Sequence, residues 1–264
     1  MVSCVRSARS VAKNEEQVSE DAMKWYWKEW TSLDSKDVWR YDTLIEWDTG
    51  SAEARRGGKE IHLGYLFGFM VEKGAEYLDG DIRKQYKYRI VFQGNAVKDQ
   101  NWEVAMLQEM ATTPTTLEAS RYAALLSLMP GNIVEGRDVT QAYLQVDMEG
   151  LAAYVVLPRE RWTPEMCKMR CPVLLLEKAL YGHKNSGALW QKFCTEQCLN
   201  ASFVPFSDNW PCTYWNEEYK MFLIVDVDDM KLDGPAEHVA LMWDRLGKGI
   251  QLENPKGDGI DPVT

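Results

Sequence analysis

The chain has 264 residues, with 30 Lys+Arg against 40 Asp+Glu and a formal net charge of −10. At 45% hydrophobic and 27% charged residues it has globular composition, which excludes a disordered, collagenous or coiled-coil chain. The acidity excludes a protein that coats nucleic acid by bulk charge, though not one that grips it in a local groove, and no apolar run reaches the roughly 20 residues of a membrane span.

The first residues carry Arg6, Arg9 and Lys13 with no acid before Glu15, and they lack the continuous apolar stretch of a secretory signal. They read as a flexible tail over 1–18. The chain reads as intracellular, in cytoplasm or nucleus and not secreted, with its cysteines reduced. Residues 19–33 predict a helix: Ser19 caps it, Glu20 and Asp21 occupy its first turn, and Met23, Trp27 and Trp30 fall on one face. Residues 61–73 predict a strand, Gly74 opens a polar turn, and 86–92 predict a returning strand. The second arm of this hairpin is basic, since 82–98 hold Arg83, Lys84, Lys87, Arg89 and Lys98 and no acid.

Thr115-x-x-Glu118 is a capping-box pattern that opens a helix through Met129. That helix is apolar nearly all round and is expected to be buried. Strands are expected over 133–139, 154–157 and 173–176, and a helix over 186–199 with Leu189, Phe193 and Cys198 roughly aligned. A hairpin of 212–215 and 221–225 leads to an acidic tip at 226–229 and a short return to Leu232. A last helix starts at Gly234-Pro235 and stops at Gly247. Strands and helices mix without strict alternation, so the fold class is α+β.

Cys167-x₃-Cys171 and Cys194-x₃-Cys198 could suggest zinc, but one-turn spacing in a helix suits half-buried small hydrophobes better. His62, His183 and His238 are scattered and form no triad-like pattern.

The sharpest chemical feature is Val225-Asp226-Val227-Asp228-Asp229-Met230, where an apolar strand runs into crowded carboxylates. Adjacent acids repel one another, and a hard divalent cation such as Mg²⁺ relieves that repulsion; a solvated acidic turn is the plain alternative. Asp138 ends another expected strand. If the two strands are neighbours, Asp138, Asp228 and Asp229 converge and can hold two Mg²⁺ ions about 4 Å apart, the arrangement used in nucleotidyl transfer.

Four ordered segments carry a family resemblance. Asp138-Val139-Thr140-Gln141-Ala142-Tyr143-Leu144 resembles the first catalytic motif of copia-type (Ty1/copia) retrotransposon reverse transcriptases. Leu176 through Gly187, followed by Trp190, is similar to that family's "LKKALYGLKQAPRAW" segment. Val227-Asp228-Asp229 is similar to its "YVDD" box, and Tyr86 through Gly94 to its "YKARLVAKG" strand.

The resemblance implies a right-hand polymerase with fingers and an antiparallel palm sheet packed by helices. The fingers and N-terminal helix would span 19–130, the palm 131–250 and a truncated tail 251–264, with the thumb largely missing. It implies Asp138, Asp228 and Asp229 as catalytic metal ligands for two Mg²⁺ ions (Mn²⁺ being an alternative). Tyr143 would exclude a ribose 2′-hydroxyl, Lys87 and Arg89 would clamp triphosphate oxygens, and Tyr181, Gly182 and Lys184 would contact nucleotide and template. The implied partners are an RNA or DNA template with its primer and a deoxynucleoside triphosphate, with no membrane.

The sequence departs from the family where Asp226 replaces the Tyr before Val-Asp-Asp, and where Asn185 and Gly187 replace the Gln and Pro of "QAP". Those departures keep a second reading open, an inactive remnant that retains the fold and nucleic-acid binding. A third is an interaction protein built on the Trp-rich N-terminal region.

Overall fold

The computed structural model describes residues 8–78, 80–105 and 115–253. The ends of the two expected tails, 1–7 and 254–264, and with them Cys4, lie outside the described residues. The chain is mixed α+β, with two sheets and six α-helices among the described residues, none of them long and apolar enough to cross a membrane. It divides into two compact units, each built from two stretches of sequence: 1–108 with 148–184, and 109–147 with 185–264.

The first unit holds β1 (Ala8–Val11), α1 (Lys13–Val18), α2 (Glu20–Ser35), β2 (Trp39–Glu46), α3 (Trp47–Arg56), β3 (Ile61–Lys73), β4 (Gln85–Phe92), β5 (Lys98–Asp99), β7 (Ala152–Val156) and β8 (Pro172–Leu176). Its mixed sheet has the order β1-β3-β7-β8-β2, with β4 and β5 also pairing to β3. The hairpin expected from the alternation of 61–73 and 86–92 is present, with Leu66 opposite Phe92 and Lys73 opposite Gln85. Residues 8–11, expected within the tail, pair with β3.

Ser19 caps α2 as expected, its Oγ accepting from the Ala22 N–H at 3.2 Å. The buried face of α2 is Ala22, Tyr26, Trp30 and Leu33, whereas Trp27 is 51% exposed. Trp30 is buried as expected, but Ala22 and Tyr26 take the buried places expected of Met23 and Trp27, with Tyr26 packed on Tyr88 of β4. Trp47, Leu63 and Val173 form a core between α3 and the sheet.

The second unit holds α4 (Leu117–Ser127), β6 (Asn132–Asp138), α5 (Ser186–Asn200), β9 (Val204–Ser207), β10 (Trp210–Asn216), β11 (Met221–Asp226), β12 (Asp229–Pro235) and α6 (Ala236–Gly247). Its strands pair in the order β6-β12-β11-β10-β9, all antiparallel. Residues Met221 to Val225 are buried throughout, so β11 is the spine of this unit.

Helix α4 differs from expectation in two ways. Its cap is Thr116, whose Oγ accepts from Ala119 N–H, while the Thr115 hydroxyl donates to the Val225 carbonyl. It is also a surface helix: only Ala119 and Ala123 are buried, and Leu128 just beyond its end is 79% exposed. Ala119 and Ala123, with Tyr122 and Leu126 beside them, form the contact stripe, while Leu117 and Leu125 face out.

Candidate active site

The acidic residues are brought together by strand register. Asp226 and Asp229 close a two-residue turn between β11 and β12, and Asp229 lies directly opposite Asp138 on β6. Residues directly opposite in an antiparallel pair project to the same face, with Cβ atoms about 5 Å apart. Asp226, Asp229 and Asp138 therefore form a row across three strands. Asp228 sits in the turn, where its carbonyl accepts from the Val139 N–H at 2.6 Å, fastening the tip of the hairpin to the end of β6.

The electrostatics agree with the register. Burial raises the Asp229 carboxyl above the ordinary range; the charges of Asp228 and Asp138, a hydrogen bond shared with Asp138, and the charge of Asp226 push the same way. Crowded carboxylates of this kind present a place that a cation can take, and all-oxygen donors suit Mg²⁺. Among the described residues no three His, Cys, Asp or Glu side chains close around one point as a ready-made cage. The acids form a row with one touching pair, Asp138 and Asp229. The sequence singled out Asp138, Asp228 and Asp229; it could not show that register sets Asp229 directly opposite Asp138 and brings Asp226 into the same row.

The turn is strained. Val227 has φ +53°, a region that β-branched residues rarely enter. Its carbonyl accepts from the Trp190 indole N–H at 2.9 Å, so α5 holds the tip in place. Such local strain is characteristic of functional turns.

Tyr143 lies in a 3₁₀ turn over Ala142–Gln145, entered through Gln141 at φ +47°. Burial, and then the charge of Asp228, raise its hydroxyl above the usual phenol range. A cavity of about 300 Å³ adjoins it, bordered by Gly187, Trp190, Cys212, Tyr214 and Asp226 among others, with no basic side chain in its wall among the described residues. Gly187 and Asp226 thus border one space.

Two residues that sequence reasoning passed over support the Asp138 strand end. Thr140 N–H donates to the Gln251 carbonyl, Glu253 N–H donates to the Asp138 carbonyl, and Gln145 exchanges side-chain bonds with the Gln251 backbone. Residues 251–253, expected within the tail, therefore run along the end of β6. Nothing in a lone Gln145 or Gln251 signals that role.

The remaining expected site residues belong to the first unit. Lys87 and Arg89 lie on β4, and Arg89 donates to Glu29 at 3.4 Å while its guanidinium stands 5.9 Å from the Tyr181 ring centre. The Tyr181 carbonyl accepts from Phe92 N–H at 2.7 Å, which seats the 181–184 loop, including Lys184, against the end of β4. Gly182 has φ +88°, and a Cβ there would run into the Phe92 carbonyl, so its glycine is demanded by packing. His183 is buried on the Phe92 ring, and burial, then the His62 charge, lower it to about 4, leaving it neutral at pH 7.

Cys194 and Cys198 are buried on α5, and their shared hydrogen bond, then burial, raise the Cys198 thiol. They behave as small core residues. No protein-family model matches the chain, and no curated protein matches it either.

Proposed function

We propose that this chain is the fingers and palm of an RNA-directed DNA polymerase of copia type, adding deoxynucleotides to a primer 3′-hydroxyl. The observation that carries this reading is the row of Asp226, Asp229 and Asp138 with Asp228 beside it, at the strained tip of an apolar hairpin. Carboxylates at strand ends in adjacent strands suit phosphoryl chemistry because they present oxygen donors on a rigid base.

Asp138, Asp228 and Asp229 would hold two Mg²⁺ ions, or Mn²⁺, which when bound lower the pKa of the primer hydroxyl and neutralise charge on the triphosphate. The residues of the chain supply the rest. The Tyr143 ring would occupy the space a ribose 2′-hydroxyl needs, favouring deoxynucleotides. Lys87 and Arg89 would bind triphosphate oxygens by charge-assisted hydrogen bonds. The Tyr181–Gly182–Lys184 loop would bear on nucleotide and template.

Primer extension on a primed RNA template tests this. Wild-type chain is expected to extend with Mg²⁺ or Mn²⁺, and Asp228→Asn to lose about 10³-fold in rate, the scale of removing one electrostatic stabiliser. The second reading, an inactive remnant, is favoured by Asp226. It adds a carboxylate to a row of acids, and at an effective dielectric near 20 two such charges 4 Å apart repel by roughly 4 kcal/mol. No extension with template binding intact selects the remnant, and extension gained on Asp226→Tyr locates the lesion.

A further inference from the structure

The cavity beside Tyr143 lies wholly within the second unit. Three aromatic residues line it, Tyr143, Trp190 and Tyr214, together with Gln191 and Cys212. Asp226 is the one formally charged residue among the described residues of the wall. Trp190 and Tyr214 are buried and Asp226 is exposed, so rings form the inner part of the wall and the carboxylate its outer part. At about 300 Å³ the space is at the small end of ligand pockets, and it is far larger than a metal ion needs.

Two of the rings are held by their polar atoms. The Trp190 indole N–H donates to the Val227 carbonyl at 2.9 Å, and the Tyr214 hydroxyl shares a hydrogen bond with Thr195 Oγ1 at 2.8 Å. What these side chains have left to offer a guest is chiefly π-surface. Burial raises the phenols of Tyr143 and Tyr214, and burial, then the neighbouring Cys194, then the charge of Asp226 raise the Cys212 thiol, so all three are neutral at pH 7. The Asp226 charge is therefore felt across this space, and nothing in the wall balances it among the described residues. Asp228, whose charge reaches Tyr143, adds to the same negative field.

We infer that this cavity binds a small organic ammonium ion carrying alkyl groups on nitrogen, with its methyl groups against Tyr143, Trp190 and Tyr214 and its charge facing Asp226. Aromatic faces attract such cations through the ring quadrupole, most strongly where water is excluded. An alkylated ammonium needs no set of oxygen donors, so a single carboxylate among rings suits it, whereas Mg²⁺ prefers a shell of oxygens. A phosphate meets no positive charge here, and a neutral guest leaves the carboxylate uncompensated. The inference goes beyond the proposed function and requires no polymerase activity. Tyr143 serves both readings, so the test excludes nucleotide and divalent metal.

The experiment is a ligand-observed proton NMR titration of the full chain, with EDTA present, using choline and the neutral alcohol in which carbon replaces the choline nitrogen. Choline is expected to bind at one site, and its neutral isostere about tenfold more weakly. Asp226→Asn is expected to weaken choline binding about tenfold and to leave the isostere unchanged. Tyr143→Leu is expected to weaken choline binding about fivefold, while Tyr143→Phe, which keeps the ring, retains it. Circular-dichroism melts check that the variants stay folded. A peptide bearing trimethyllysine presents the same head group: if it binds more tightly than choline, the source of the ligand is a protein side chain, and if more weakly, a free small molecule.

The inference is overturned if the isostere binds as tightly as choline, if Asp226→Asn leaves choline affinity unchanged, or if choline binds nowhere on the chain. Equal losses for Tyr143→Leu and Tyr143→Phe would also overturn it, since the hydroxyl and not the ring face would then hold the guest. A chain that binds choline and never extends a primer leaves this inference standing while the polymerase reading fails, and a chain that extends a primer without binding choline does the reverse.

Discussion

Asp233 is a carboxylate in a place that resists charge. It lies on β12 opposite Phe222 and Val134, is 0% exposed, and neither of its oxygens has a hydrogen-bond partner among the described residues. Burial pushes its carboxyl up to about 7, against a smaller opposing pull from Lys231. An acid with a folded pKa above its unfolded value of 3.8 binds a proton on folding. Its favourable contribution is full below pH 3.8 and is lost as pH rises through about 7. A shift of this size corresponds to as much as about 4 kcal/mol between the two limits. Asp233→Asn is therefore expected to be more stable than the parent at pH 8 and to flatten the decline in stability between pH 5 and 8. Urea midpoints at both pH values check this, and an unchanged difference between them would remove Asp233 from the account. The same residue marks what sequence leaves hidden. Asp228 and Asp229 announce themselves by crowding after an apolar strand, and Asp138 by the motif around it. In Lys231-Leu232-Asp233-Gly234-Pro235 the acid looks like surface, and only the strand pairing buries it.

Two turns show how elements fix the site. Gly182 sits at positive φ against the Phe92 carbonyl, so Gly182→Ala meets both backbone strain and a clash, and is expected to cost about 3 kcal/mol in a denaturant titration. Val227 sits at positive φ, so Val227→Gly is expected to relieve strain and raise stability by up to about 1 kcal/mol, glycine's own entropy offsetting part of the gain. If Val227→Gly instead destabilises, the Trp190 bond outweighs the strain. Element by element, β3, β4, β10 and β11 were legible as apolar runs bounded by polar turns, and α5 from a few apolar residues at helical spacing. Helix α3 was not: Trp-Asp-Thr-Gly-Ser-Ala-Glu-Ala-Arg-Arg is short, has one large apolar residue and carries an internal glycine. Its helicity depends on burying Trp47 and Ala54, with Arg55 and Arg56 in the last turn. For α4 the aliphatic residues pointed to burial all round, yet only one side, with Ala119, Tyr122, Ala123 and Leu126, meets the sheet.

At the scale of the molecule, both units are assembled from separated stretches, and the first depends on its late stretch most directly. The first five residues of β3 pair in parallel with β7, and β8 lies between β7 and β2. Without 148–184, β2 loses its pairing with β8, and β3 loses the neighbour that covers Ile61 to Tyr65. The core around Trp47, Leu63 and Val173 is opened at the same time, since Val173 and Val156 come from the missing stretch. Non-local pairing of this kind gains nothing until the distant strand arrives. A chain of residues 1–108 alone is therefore expected to show no cooperative thermal transition, whereas 1–108 joined to 148–184 through a flexible Gly/Ser linker is expected to melt cooperatively. Circular dichroism and calorimetry on the two chains decide it. A cooperative melt of 1–108 alone would mean that the β1–β3–β4 hairpin region and α2 form a sufficient core without β7 and β8, and the discontinuous unit would then be a description of contacts with no energetic counterpart.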